Sequence, residues 1–251
     1  MKKLDLWGFD SEFYFEKAVP KIDFLVNKYL ACDVKFLEPL PKDEPFIFVS
    51  NRAGFLPLDA VIAQHVLGQI VSKPPLRPLL EDYVFTLPYV GLFLQRIGCV
   101  RASRENALRL LEIGYSVVAF PEGIKGAAKT FLEGKNLMRF GRGGIVRLAI
   151  GSRVKVVPIG IAGVEKAYPM FLHLDRLGKT FGLPFFPVTP FFPFLGPLGL
   201  LPLPAKITVA VGSPIDCLEL CGSNDPSEPV ILKINETIRS KVLDLLLQGS
   251  K

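Results

Sequence analysis

The sequence contains few residues of the types that bind metal ions. Among its 251 residues are four cysteines and two histidines, His65 and His173. Cys217 and Cys221 are four positions apart, but no second pair of cysteines or histidines completes the spacing of a zinc site. We therefore predict no metal site, and we interpret the cysteines as small hydrophobic residues of a reducing compartment.

A continuous apolar helix is also missing from the sequence. The first ten residues include Asp5 and Asp10, where a signal peptide would need an unbroken apolar core. Residues 181–205 carry no charge and are long enough to span a bilayer, which takes ~20 apolar residues as a helix. Prolines at seven of these positions forbid that helix, and lipid cannot satisfy the backbone groups they free. We therefore expect a cytoplasmic protein in which residues 181–205 cover the core, line an acyl pocket or dip into a lipid interface.

The composition combines an apolar excess with positive charge. Hydrophobic residues make up 49% of the chain, and the formal net charge is +6. This combination suits an anionic lipid surface or a ligand that is both phosphorylated and acylated. Nucleic acid is disfavoured as a partner because the lysines and arginines are dispersed and do not alternate with aromatic residues.

Strand-like and helix-like segments alternate along most of the chain. This alternation predicts an α/β domain with a mainly parallel central sheet flanked by helices. The strand-like runs are Val34–Leu37, Phe46–Val49, Cys99–Arg101, Ser116–Phe120, Val154–Ile161 and Ile207–Val211. The helix-like runs are Asp59–Leu67, Leu87–Arg96, Arg104–Ile113, Gly143–Ile150 and Val230–Leu247.

The first 32 residues form a separate amphipathic segment, and residues 33–251 form the α/β domain. Apolar residues recur at helical spacing from Phe13 to Leu30, with charged residues between them. Pro20 is expected to split this segment into two helices or to kink it. The apolar face either packs on the core or lies on a membrane surface.

Four segments of the chain are candidates for a functional site. The first is a turn between a strand and a helix, Asn51–Asp59, and the second is a strand that ends in Arg101. The third is a buried strand that runs into the turn Phe120-Pro121-Glu122-Gly123, and the fourth is the strand Val156–Ile161 with an internal proline. Each segment is a weak signal when taken alone.

In this order and at these separations, the four segments resemble the glycerolipid (1-acylglycerol-3-phosphate) acyltransferase superfamily, whose type members make phosphatidate from lysophosphatidate. The resemblance extends from about Phe9 to the last helix, and Phe120-Pro121-Glu122-Gly123 is its most diagnostic part. It applies in particular to a bacterial branch whose first motif reads Asn-His-Ser-Gly-x-Leu-Pro-x-Asp. The resemblance implies a glycerol-3-phosphate acyltransferase-like fold.

The resemblance also implies roles for individual residues. Asp59 occupies the position of the aspartate that orients the catalytic histidine, and Arg52 occupies the position of that histidine. The implied substrate-binding residues are Asn51, Arg101 for the acceptor phosphate, Glu122 and Gly123 in the acceptor-binding turn, and Lys125 and Arg142 for positive potential. Lys129 and Arg139 are expected on a solvated basic face. The implied acyl donor is acyl-CoA or acyl-carrier protein, with no bound cofactor.

Arg52 departs from the family pattern at the catalytic position. An arginine keeps its proton near neutral pH because its pKa stays above ~12. His65 lies more than one helical turn beyond Asp59, and His173 lies in no motif, so neither is well placed to substitute. Loss of a general base typically costs ~10²–10⁴ in rate and leaves substrate positioning intact.

Two hypotheses follow for the function. In the first, the chain is an O-acyltransferase on the inner face of the cell membrane that acylates a lysophospholipid-type hydroxyl with an impaired base. In the second, it is a degenerate homologue that binds an acyl chain, acyl-carrier protein or anionic lipid without turning it over. Asp59, Arg101 and Glu122 suit both hypotheses, whereas Arg52 favours the second.

Overall fold

The protein is built on one seven-stranded sheet, as seen in a computed structural model that describes residues 4–70, 75–223 and 225–250. The strand order is β1-β9-β6-β2-β5-β3-β4. The strands of this sheet are β1 (Asp33–Phe36), β2 (Ile47–Ser50), β3 (Arg77–Leu80), β4 (Val100–Arg101), β5 (Val117–Ala119), β6 (Val156–Ala162) and β9 (Thr208–Val211). β7 (Leu172–Leu174) and β8 (Phe186–Val188) form a separate antiparallel pair.

The central sheet is mainly parallel, which confirms the predicted α/β class. β6, β2, β5, β3 and β4 pair in parallel along the sheet. β9 runs antiparallel to β6, and β1 pairs in parallel with β9 at the edge. The carboxyl ends of the five parallel strands therefore meet along one edge of the sheet.

Helices cover both faces of the sheet and produce two hydrophobic clusters. In β2, Phe48 faces the cluster beneath α2, whereas Ile47 and Val49 face the cluster beneath α5, α7 and α11. Strands buried on both faces carry nearly continuous apolar sequence, which is why they could be recognised. The helices are α1 (Val19–Asp23), α2 (Leu58–Gly68), α3 (Asp82–Thr86), α4 (Val90–Arg96), α5 (Arg104–Glu112), α6 (Gly123–Ala127), α7 (Gly144–Ser152), α8 (Val164–Ala167), α9 (Asp175–Thr180), α10 (Cys217–Cys221) and α11 (Glu228–Gly249).

β3 was not predicted, because an arginine and a proline begin it. Arg77 is fully buried, and its guanidinium donates to the Gly98 carbonyl at 3.1 Å and bonds the Asp5 carboxylate. The same guanidinium lies 4.6 Å from the Phe9 ring centroid. An apolar pattern cannot reveal a strand whose first residue is a charged group that is neutralised by a distant segment.

The N-terminal segment remains helical through Pro20, which contradicts a split into two helices, and the alternative of a kink stays a prediction. A π-helical stretch, Phe13–Ala18, leads into α1, and a second one, Phe24–Tyr29, follows it. Pro20 is the second residue of α1, and the backbone of Ala18 and Val19 on its N-terminal side is already helical. One face of the segment packs on the core, with Tyr14, Ala18, Ile22 and Val26 buried. On the other face Phe15 and Phe24 are exposed, and a membrane role for them remains a prediction.

Residues 181–205 leave many apolar side chains exposed. Phe185 is buried and packs its ring 5.4 Å from that of Phe55, so the core-covering alternative holds at this side chain. Phe194 and Leu198 are 85% and 69% exposed. Throughout the described ranges, no helix combines the length and the apolar character needed to cross a membrane.

Candidate functional site

The candidate site lies at the carboxyl edge of the parallel strands. Arg52 follows β2, Glu81 follows β3 and Glu122 follows β5 by a short turn. Open α/β sheets bind their ligands at this edge, because the loops that leave the strands converge there. The structure therefore brings the first and third predicted motifs together.

Arg52 and Asp59 form a buried ion pair. Arg52 Nη1 lies 2.5 Å from Asp59 Oδ1, and both side chains are completely inaccessible to solvent. The aspartate also accepts hydrogen bonds from the backbone N–H of Ala53 at 2.9 Å and of Ala60 at 2.8 Å. Asp59 lies in the first turn of α2, where the helix leaves such N–H groups unpaired. The carboxylate that would orient a histidine therefore holds an arginine.

A second carboxylate, from Glu81, also faces Arg52. Arg52 Nε lies 3.5 Å from Glu81 Oε1, and the guanidinium carbon lies 5.6 Å from the Phe120 ring centroid. Burial disfavours the charged form of Arg52, but Asp59 and Glu81 outweigh it and raise the pKa of this arginine above its ordinary value. Arg52 is therefore a permanent cation and cannot accept a proton.

Glu122 is the centre of a second buried cluster. Its carboxylate accepts hydrogen bonds from the backbone N–H of Arg52 at 2.7 Å and of Met138 at 2.6 Å. Lys129 Nζ lies 3.1 Å from both of its oxygens. Lys129 is 4% exposed, so its expected place on a solvated basic face is wrong. Lys129 lies seven residues beyond Glu122, and the sequence does not reveal that the chain folds back to bring the two side chains together.

Asn51 and Glu122 organise the site from within. The Asn51 side-chain amide donates to the Ile161 carbonyl at 2.9 Å and accepts from the Ile161 N–H at 2.8 Å, which joins the end of β2 to β6. Both Asn51 and Glu122 are buried. Their polar atoms are thus engaged with the protein, and the geometry gives them positioning roles where the resemblance implied contact with substrate.

Gly126 allows the two strand-end turns to approach each other. A Cβ atom at this position would lie 2.7 Å from the Arg52 Cβ and 2.6 Å from the Glu122 Cβ. Real Cβ contacts essentially never become so short, so a larger residue would push the turns apart. The sequence does not indicate the contact of Gly126 with Arg52, because that contact depends on how the fold brings the two turns together.

A cavity of about 390 Å³ opens beside the Arg52–Glu81 pair. Glu81 and Phe120, which both contact Arg52, form part of its wall, and Gly123 and Arg142 also line it. Apolar side chains of β3, α5 and α7 make up much of the remaining lining, including Leu79, Ala107, Ile145 and Leu148. The cavity thus offers an apolar surface and a cationic group to one ligand.

Arg101 and Lys125 do not line this cavity. Arg101 pairs with Asp82 at 3.0 Å on the surface, where its side chain is 53% exposed. Lys125 is exposed on α6. Of the predicted substrate-binding residues, the structure places Gly123 and Arg142 at the cavity, and Asn51 and Glu122 behind it.

The two histidines have partners elsewhere. His65 is buried, with its Nε2 atom 3.2 Å from a carboxylate oxygen of Asp23. The ring of His173 packs against Phe185 at a centroid separation of 5.8 Å. In the described part of the chain, no three His, Cys, Asp or Glu side chains are grouped so that they could hold a metal ion.

The site contains two groups that the sequence did not indicate. Glu81 supplies the second carboxylate to Arg52, and Tyr83 donates its hydroxyl to the Phe55 carbonyl at 2.7 Å across the first motif. Both follow β3, the strand hidden by its arginine and proline. Recognition of β3 would have placed Glu81 at a strand end and so at the site.

The sheet and its edge define a class of α/β proteins that bind ligands at the carboxyl ends of parallel strands. A family model described as Acyltransferase matches residues 31–162, and the chain belongs to this family. The chain is similar to the crystal structure of the 1-acyl-sn-glycerophosphate acyltransferase PlsC from Thermotoga maritima, with a TM-score of 0.55 and 18% identity. That likeness covers 93% of this chain and 81% of the other, and it shows the fold.

Curated relatives are also similar to the chain. An uncharacterized protein of Mycobacterium tuberculosis is 37% identical over 249 residues, which cover 97% of this chain and 69% of that protein. Diacylglycerol O-acyltransferase 1 of Eremothecium gossypii is 29% identical over 143 residues, which cover 52% of this chain and 31% of that protein. These likenesses support a glycerolipid acyltransferase family.

Proposed function

We propose that this chain binds an acylated, phosphate-bearing ligand in the cavity beside Arg52 and transfers acyl groups only slowly. One observation carries this proposal: Arg52, which the family resemblance puts at the position of the base, is fully buried and paired with Asp59. The cavity next to it is retained, with an apolar wall and Arg142.

The chemistry of the reaction explains why transfer is slow. An acceptor hydroxyl oxygen attacks the thioester carbonyl carbon, the carbon–sulfur bond breaks, and the hydroxyl proton must pass by way of a base to the departing thiolate. Arg52 cannot accept that proton, and Asp59 is occupied by Arg52 and two backbone N–H groups. Positioning and the electrostatic field remain as sources of residual rate.

The proposed acceptor is a lysophospholipid-type hydroxyl, and the proposed donor is acyl-CoA or acyl-carrier protein. The family and the similarity to a diacylglycerol O-acyltransferase support this substrate class. We place the chain in the cytoplasm, on the inner face of the cell membrane. Exposed apolar side chains, with Phe24, Phe181 and Phe194 among the largest, and a formal net charge of +6 support contact with an anionic bilayer.

The second candidate function is binding without turnover. The complete burial of the Arg52–Asp59 pair favours it, because the pair fills the space from which a base would act. In this case the chain retains an acyl chain, acyl-carrier protein or anionic lipid and releases it unchanged. The two functions share the cavity and differ in whether thiol is released.

The test gives the purified chain acyl-CoA and lysophosphatidate and follows release of free thiol. In parallel, sedimentation with lysophosphatidate-containing vesicles measures binding. We expect vesicle binding together with a turnover at least ~10²-fold below that of the Arg52→His variant. Binding with no thiol release at all would select the second function. Turnover equal to that of the histidine variant would contradict both, as would absence of binding and turnover together.

A further inference from the structure

A cavity lined by lysines lies at the end of the sheet formed by β1, β9 and β6. Its volume is about 230 Å³, and among the described residues it shares no lining residue with the first cavity, beside Arg52. Four lysines from separate parts of the chain converge on it, so only the fold reveals the cluster. We call it the lysine cavity, and its lysines are Lys35 of β1, Lys135, Lys166 of α8 and Lys206.

Most of the lysine charge in this cavity is not balanced by the protein. Lys35 lies 3.9 Å from Asp33, and the buried Glu165 accepts a hydrogen bond from the Gly163 N–H at 3.0 Å. Within the described ranges, the other three lysines make no ion pair. The carboxyl end of α11 also lines the cavity and adds about half a negative charge. Four lysines against two carboxylates and this helix end leave an excess of roughly one to two positive charges.

The lysine cavity adjoins the exposed apolar segment 181–205. Lys206 follows this segment directly, and the Leu203 N–H donates to the Ala167 carbonyl of α8 at 2.8 Å. Near the end of the segment, Leu201 is 62% exposed. Exposed apolar side chains beside unbalanced cations match the interface of a bilayer, where acyl chains lie next to anionic headgroups.

The excess positive charge suits a phosphomonoester. Such a group carries about −1.5 to −2 charges at pH 7, which is close to the excess charge of the cavity. Each lysine ammonium offers three hydrogen-bond donors and can bind phosphate as a point charge. A soluble phosphate compound would offer the same charge, but it would leave the neighbouring apolar side chains in water. The apolar surroundings therefore favour a lipid as the source of the phosphate.

We propose that the lysine cavity binds the phosphomonoester headgroup of a bilayer lipid, whose acyl chains lie beside the exposed Leu198 and Leu201. This inference rests on the proposed contact with an anionic bilayer and deepens it, because it names the headgroup and the residues that bind it. The lysine cavity and the Arg52 site lie at the same edge of the sheet. Headgroup binding would therefore turn this edge, and the first cavity with it, toward the membrane.

The test measures sedimentation of the full chain with phosphatidylcholine vesicles that contain either phosphatidate or phosphatidylserine at equal surface charge. These vesicles contain no acyl donor and no lysophospholipid, so the readout is independent of acyl transfer. We compare the native chain with Lys166→Gln/Lys206→Gln, which removes two exposed lysines from the cavity. The matched control Lys233→Gln/Lys241→Gln removes two exposed lysines of α11 that line neither cavity.

We expect the native chain to bind phosphatidate vesicles about threefold or more tightly than phosphatidylserine vesicles. The cavity variant should lose this preference and bind phosphatidate about tenfold more weakly, because two cations near the headgroup are gone. The control should change binding less than about twofold. Equal weakening in the control would reduce the effect to net charge and overturn the assignment.

Two further measurements separate the remaining explanations. Calorimetry with glycerol 3-phosphate tests a soluble ligand, and binding that depends on the two lysines without any effect on vesicles would overturn the lipid assignment. Thermal melting tests a purely structural role, because lysines that serve only the end of α11 would lower the melting temperature and leave vesicle binding at the control level. That result would also overturn the assignment.

Failure of the headgroup site can be distinguished from failure of the proposed function. Equal binding to both kinds of anionic vesicle, unchanged in the cavity variant, would overturn the headgroup site and leave the proposed membrane contact standing. Absence of vesicle binding by the native chain would contradict the headgroup site and the proposed membrane contact together.

Discussion

Arginines have opposite environments in two neighbouring regions of this molecule. In the turn after β2, Arg52 is completely buried against Asp59 and Glu81, and its charge is satisfied by the protein. At the start of α5 and the end of α7, Arg104 and Arg153 are exposed and have no carboxylate partner in the described residues. The first arrangement neutralises the charge inside the protein, and the second leaves the charge at the surface.

The comparison shows that partners and burial, more than residue type, decide what an arginine contributes. A buried cation without partners would be strongly unfavourable, so Arg52 requires the two carboxylates that hold it. An exposed guanidinium is solvated and can exchange water for phosphate at modest cost. The same side chain is therefore neutralised by carboxylates at one place and solvated at the other.

The largest expected effect comes from replacing the buried Arg52 with histidine. We expect Arg52→His to raise the rate of thiol release from acyl-CoA by ~10²–10⁴, because a base then stands beside Asp59. Steady-state thiol detection with lysophosphatidate as acceptor measures it. Thermal melting of the same variant shows whether Glu81, left without its cation, has cost the fold. A folded variant with unchanged rate would mean that other parts of the site have also been lost.

Removal of the buried Asp59 carboxylate should destabilise the protein, whereas removal of an exposed carboxylate should have little effect. We expect Asp59→Ala to lower the free energy of unfolding by about 3–5 kcal/mol, because it leaves Arg52 buried with a single, more distant carboxylate. The control Asp82→Ala removes an aspartate that pairs with Arg101 but is 78% exposed, and should cost under about 1 kcal/mol. Urea unfolding measures both. Equal costs would show that burial does not distinguish the two pairs.

Loss of the Lys129 partner of Glu122 should also lower the free energy of unfolding, but by less than the loss of Asp59. We expect Lys129→Met to lower the free energy of unfolding by about 3 kcal/mol, at the low end for a broken buried pair. The backbone N–H groups of Arg52 and Met138 still stabilise the Glu122 carboxylate, which limits the loss. Lys125→Met, at an exposed position of α6, should stay within about 0.5 kcal/mol of the native chain. A neutral Lys129→Met would contradict the assigned cluster.

The smallest expected effects concern lysophosphatidate binding, in which Arg142 and Arg101 should contribute differently. Arg142→Ala should weaken lysophosphatidate binding about tenfold, or ~1.4 kcal/mol, because Arg142 lines the first cavity. Arg101→Ala should weaken it less than about threefold, or ~0.7 kcal/mol, because Arg101 pairs with Asp82 outside that cavity. Vesicle sedimentation at fixed ionic strength measures both. The reverse order would restore the phosphate-binding role that the family resemblance gave to Arg101.

The sequence predicted the sheet and the first motif because their signals are local. Buried parallel strands are apolar along their whole length, and Asn51–Asp59 and Phe120–Gly123 are continuous motifs. The features it missed are long-range. β3 can begin with the buried Arg77 because Asp5 neutralises that charge. Lys129 can be buried because the chain folds back and pairs it with Glu122. Neither contact can be inferred from the spacing of these residues along the chain.

The most direct test of the account is a rate comparison under single-turnover conditions with acyl-CoA and lysophosphatidate. It uses the native chain, Arg52→His, Asp59→Asn and the double variant Arg52→His/Asp59→Asn. We predict that Arg52→His gains ~10²–10⁴ in rate and that the double variant loses most of this gain, because the histidine needs the Asp59 carboxylate to orient it. A gain that persists without Asp59, or a native rate equal to that of Arg52→His, would contradict the claim that Arg52 closes a retained catalytic pair.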